Sequence, residues 1–105
     1  MMRGYHLVPL ADADPEDILF YVAMESGPAA ADRLEAEFHE VMERIAFAPS
    51  AGHTRADLSG LPLRFVPHHK WMIAYRPETR PVQIIRILHG ARDVASILGD
   101  PRGPE

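Results

Sequence analysis

The chain has 105 residues, 47% hydrophobic and 25% charged. That is enough for one domain with one core, too few for two, and it is the balance of a folded chain. With no cysteine and a net charge of −4, disulfide frameworks, thiolate chemistry and non-specific nucleic-acid binding are all disfavoured. No apolar run approaches the roughly 20 residues of a membrane-spanning helix. The stretch Met1-Met2-Arg3-Gly4-Tyr5 does not resemble a secretion signal. A cytoplasmic protein without a membrane partner is expected.

Residues 5–10 form a short β-type run with Leu7 and Val8, ending in Ala11-Asp12-Ala13. Asp14-Pro15-Glu16-Asp17 is a helix start: Asp14 can cap, Pro15 suits the first turn, and the acids favour the positive helix end. Ile18, Tyr21 and Val22 supply the apolar stripe. Ser26-Gly27-Pro28 interrupts it, because Pro28 cannot continue a helix but can open the next. In that second helix Leu34, Phe38, Val41, Met42 and Ile45 recur at three- and four-residue spacing, and most acids lie opposite. Two helices joined so tightly should fold back as an antiparallel hairpin.

After Pro49-Ser50-Ala51-Gly52 the period changes to two. Strands are expected at 63–66, 71–75 and 82–88. Pro77-Glu78-Thr79-Arg80-Pro81 makes the last two antiparallel neighbours. The third is apolar on both faces, as a central strand should be. His89-Gly90 ends it, and 91–98 is a last short helix with Val94, Ile97 and Leu98 placed to dock. The expected fold is α+β, a single domain over 1–105. A helix hairpin packs on a three- to four-stranded antiparallel sheet, between an N-terminal strand and a short C-terminal helix.

Charge is unevenly spread. Residues 1–62 hold 4 basic and 11 acidic side chains, whereas 63–92 hold 6 basic ones against Glu78 alone. The C-terminal half can therefore present a basic face to an acidic partner, or the two halves can attract one another.

This element order, with the stretch Arg86-Ile87-Leu88-His89-Gly90-Ala91-Arg92-Asp93, closely resembles the RelE/ParE superfamily of type II toxin–antitoxin toxins, on its ParE-like side. Gly52-His53-Thr54-Arg55-Ala56-Asp57-Leu58 followed by Leu63-Arg64-Phe65 is similar to the family's turn between helix hairpin and sheet. The strand ending in Tyr75 resembles its middle strand. The resemblance implies a growth-inhibiting toxin without a cofactor. Its partner would be a cognate antitoxin, a small DNA-binding protein whose flexible C-terminal segment wraps the toxin. The ParE-like branch is associated with poisoning DNA gyrase, with no hydrolytic chemistry assigned; the other branch cleaves mRNA in the ribosome. Strong direct DNA binding by the toxin alone is not expected. Positions that are basic in the mRNA-cleaving branch are Val66 and Met72 here, and its terminal-helix tyrosine is Leu98, which favours the gyrase reading. Arg64 and Arg92 do match basic positions. A non-toxic domain that only binds antitoxin is the alternative of another class.

RNA cleavage by 2′-oxygen attack needs a base, cations for the developing phosphorane charge and an acid for the leaving oxygen. Arg64, His89 and Arg92 are the candidates for those jobs. The same three, with Arg86, are candidates for binding target or antitoxin. Arg86 sits among Val82, Ile84 and Leu88, where a cation needs a carboxylate such as Asp57 or Asp93, so a structural role is favoured for it. His89 is read first as a corner hydrogen bond, Asp93 as the cap of the last helix. Phe65, Trp71 and Tyr75 are read as core before a base-stacking platform. His68 and His69, being adjacent, should point to opposite faces of a strand, and no metal site is expected.

Overall fold

The computed structural model describes residues 4–54 and 62–90. The expected last helix, and with it Arg92, Asp93 and Leu98, lies outside these residues, as does Asp57. The elements run β1 (Tyr5–Leu7), α1 (Ala13–Ser26), α2 (Pro28–Phe47), β2 (Arg64–His68), β3 (Trp71–Arg76) and β4 (Val82–His89). Short 3-10 turns at Pro9–Ala11 and Pro49–Ala51 precede α1 and follow α2. The first strand is shorter than expected because Pro9, with no N–H to give a ladder, opens a 3-10 turn instead.

The helix hairpin forms where the sequence places it. Gly27 takes φ +93°, a conformation that L side chains rarely adopt, and its N–H closes α1 on the Ala23 carbonyl at 2.9 Å. Pro28 then opens α2. Leu34, Phe38, Val41, Met42 and Ile45 are all buried against the sheet, each contributing about 1.5–3 kcal/mol of apolar burial. At the start of α1 the expectation needs correcting. Asp12 occupies the cap position without a side-chain cap bond, and Asp14 lies inside the first turn with its carboxylate directed elsewhere.

The sheet has the order β1-β4-β3-β2. The strands β2, β3 and β4 are antiparallel neighbours, but β1 pairs parallel to β4, with Tyr5 opposite Val82 and Leu7 opposite Ile84. The sheet is mixed rather than wholly antiparallel. Parallel neighbours need a long connection, and here the helix hairpin and two strands provide it.

A bulge in β4 decides which side chains face the helices. Tyr75 pairs with Ile84 and Ala74 with Arg86, so Ile85 is the extra residue. Strict alternation would put Arg86 and Leu88 on the same face as Val82 and Ile84. The bulge instead brings Ile87 to the helix side with Val82, Ile84, Ile73, Tyr75 and Trp71. Leu88 joins Leu63, Phe65 and Ala74 in a second cluster on the far face, with Met72 and Ile85 packed beside it. The strand is apolar on both faces because both carry a cluster.

Candidate functional site

Beyond Val8, whose N–H still bonds the Ile84 carbonyl at 3.1 Å, the β4 edge loses its strand partner. The Asp14 carboxylate takes over there: Oδ2 accepts from the Ile87 N–H at 3.0 Å and from Arg86 Nε at 2.8 Å, while Oδ1 accepts from Arg86 Nη2 at 3.0 Å. This fork is nearly buried, with side-chain exposures of 9% for Asp14 and 18% for Arg86. The hydrogen bonding to Asp14 pushes the guanidinium further above its ordinary value, against the effect of burial. Arg86 has the carboxylate partner that its place in the strand calls for, but this comes from α1 rather than from Asp57 or Asp93.

Arg64, at the start of β2, donates from Nη1 to the Gly52 carbonyl at 2.8 Å. The neighbouring Tyr75 hydroxyl donates to the Pro49 carbonyl at 2.5 Å and accepts from the Gly52 N–H at 3.0 Å. Together they clamp the turn that leaves α2. A side chain at Gly52 has no room, since a Cβ there would come within 2.9 Å of Tyr75 Cε1. Burial pushes the Tyr75 hydroxyl above its ordinary pKa, opposed by the Gly52 bond and the Arg64 charge.

His89 lies at the other end of the sheet. Register places it opposite Trp71, with ring centroids 5.1 Å apart. It is exposed, and its ring is tilted 60° to that of Trp71; the corner beyond Gly90, where a hydrogen bond is expected, lies outside the described residues. Arg64 aligns through Tyr75 with Ile84, five residues before His89, which separates the two by roughly 17 Å at 3.3 Å per residue. Two of the three residues considered for RNA cleavage are thus not brought together. Arg92 lies outside the described residues.

The corner around His89 holds groups that the sequence did not connect. An open groove of about 390 Å³ is lined by Asp17, Ile18, Tyr21, Trp71 and His89. Lys70 Nζ stands 5.2 Å from the Tyr21 ring centroid and 5.4 Å from that of Trp71, at cation–π distance from both. On the same helix Phe20 and Met24 are 69% and 71% exposed. They are four residues apart and so share a helix face. Trp71, Tyr75 and Phe65 are buried, which makes them core, as expected, rather than a stacking platform.

The sequence from residue 5 to residue 94 matches the family described as ParE toxin of type II toxin-antitoxin system, parDE. The chain belongs to the ParE toxin family. Its fold is also similar to a solved structure described as "Chromosomal ParDE TA system from P. aeruginosa". That likeness has a TM-score of 0.69 at 20% identity, over 82% of this chain and 94% of the other. At that identity the likeness is one of fold. No curated protein matches the sequence. Membership bears out the resemblance carried by the strand–His89–Gly90 corner, and it makes this protein a toxin of a type II toxin–antitoxin system. Among the described residues, no helix of this ParE-family toxin is long and apolar enough to cross a membrane.

Proposed function

We propose that this ParE-family toxin stops growth by binding DNA gyrase, and that a cognate antitoxin neutralises it. The observation that carries the reading is the dispersal of the candidate basic groups among the described residues. Arg86 is tied to Asp14, Arg64 is tied to the Gly52 carbonyl, and His89 stands at the opposite end of the sheet from Arg64. A phosphoryl-transfer site needs its acid, base and cations within hydrogen-bond reach of one reacting group. Val66 and Met72, where the mRNA-cleaving branch carries basic residues, support the same reading. The target surface is the corner formed by His89, Trp71 and the turn residue Lys70; Arg92, three residues further along the sequence, lies outside the described residues. Arg64 adds charge at the far end of the sheet. The antitoxin's C-terminal segment folds on binding across the exposed side of α1 and the sheet edge.

The test is a pair of assays beside induced expression. Expression without antitoxin should arrest bacterial growth, and normal growth at confirmed soluble expression would sink the toxin reading for this chain. Purified protein should inhibit gyrase supercoiling of plasmid DNA and should leave ribosome-bound mRNA uncut at every concentration. Codon-specific cuts by the wild-type protein, abolished by His89→Ala, would replace the gyrase reading with the nuclease one.

A further inference from the structure

We propose that Glu37, His68 and His69 form a binding site for a divalent transition-metal ion of the zinc class, which pins α2 to the turn between β2 and β3. The expectation that His68 and His69 diverge holds only while both lie in a strand. Here β2 ends at His68, and His69 begins the turn with φ +56°. That left-handed conformation is uncommon for residues other than glycine, asparagine and aspartate, although histidine is among those enriched in it. It swings the second imidazole round to the side of the first. Nε2 of His68 lies 2.8 Å and Nε2 of His69 3.2 Å from the same carboxylate oxygen, Oε1 of Glu37.

The donor set and its spacing suit such an ion. Two imidazole nitrogens and one carboxylate are a recurrent zinc ligand set that leaves a position open for water or an outside ligand. The three ligand atoms all lie within 4.8 Å of one another. In a tetrahedral site with bonds of about 2.0–2.1 Å, ligand atoms sit roughly 3.3 Å apart, so both histidine–glutamate separations are within about half an ångström of that spacing.

The frame is already built. Glu37 projects from the helix whose Leu34, Phe38 and Val41 are locked in the core. The half-buried His68 ring packs 5.9 Å from Phe38, and His69 stacks edge-on to His68 at 4.4 Å. Lys70, the nearest cation in sequence, is held over Tyr21 and Trp71 instead. Glu37 and His69 also line an open groove of about 450 Å³ with Arg33, Lys70 and Trp71, so the free coordination positions face solvent. This inference is independent of the gyrase reading.

Cobalt(II), which takes zinc's place and absorbs visible light when bound, is the probe. Titrated into the purified full-length chain, it should saturate at one equivalent with a d–d absorption band. Zinc should displace it and raise the melting temperature. His69→Ala, at an exposed position, and Glu37→Gln should each weaken binding about tenfold or more, since even partners one shell further out are worth that much. His6→Ala and His53→Ala should change nothing. Absence of saturable binding, or equal affinity in wild type, His69→Ala and Glu37→Gln with the folds intact by circular dichroism, would overturn the site.

Discussion

Asp14 holds Arg86 in a two-pronged ion pair across 72 residues of sequence, and the same carboxylate also accepts the backbone N–H of Ile87. One side chain therefore closes both the buried charge and the open edge of β4. A pair this deeply placed adds little stability over an apolar substitute, but losing one member leaves the other charged and buried.

Asp14→Ala should accordingly destabilise the protein by about 3–5 kcal/mol. Urea unfolding would show it as a lower midpoint at unchanged slope. Asp14→Asn should recover part of the loss, because its carbonyl still accepts from the Ile87 N–H. A double replacement of Asp14 and Arg86 by apolar residues should cost less than the two single changes added together. Strict additivity would mean that the pair is not a unit.

Tyr75 gives the protein an alkaline limit. Burial raises its folded-state pKa, so the unfolded chain ionises first. The contribution is then fully present below the ordinary tyrosine value of about 10 and is lost as pH rises through the raised folded value. Tyr75→Phe should flatten that alkaline decline. At neutral pH it should cost about 1–3 kcal/mol, because the Gly52 N–H and the Pro49 carbonyl lose their partner. An unchanged alkaline limb in thermal melts at increasing pH would show that another group sets it.

The exposed face of α1 should separate partner binding from folding. Phe20→Ser and Met24→Ser remove solvent-facing apolar groups, so each should alter stability by no more than about 0.5 kcal/mol. If the antitoxin segment covers this face, each should weaken the complex by about 1–2 kcal/mol. Calorimetry with the cognate antitoxin decides it: wild-type affinity in both variants would place the antitoxin elsewhere.

Much of this fold was legible because its signals are local. The Gly27-Pro28 break, the apolar stripe of α2 and the Pro77–Pro81 connection each act over a few residues. The direction of β1 was not legible, since a lone short strand carries no mark of whether its partner runs with or against it. The role of Asp14 is hidden for a related reason. An acid before Pro15 fits a capping role by itself, and nothing nearby reveals a partner 72 residues away. The bulge at Ile85 was hidden because Ile84-Ile85-Arg86-Ile87 supports two alternations equally well. Of the site, the contact of the His89 ring with Trp71 follows from strand register. The convergence of His68 and His69 turns on one backbone angle, at the residue where the strand stops.

The parallel pairing of β1 with β4 also dictates when the toxin can exist. The helix hairpin and the β2–β3 ribbon are built from near neighbours, and such contacts form early. The Val82 N–H meets the Gly4 carbonyl, and the Ile87 N–H meets Asp14 across 73 residues, only after nearly every other described residue has been made. Contacts between distant parts of a chain form late, and during synthesis they wait for the later of the two partners to emerge. A growing chain that has not yet exposed β4 has neither its central strand nor the Arg86 that engages Asp14. Its helices then have no finished sheet to cover. The order of synthesis thus leaves the α1–α2 hairpin without its central strand until β4 has been made, and only then can the native sheet close.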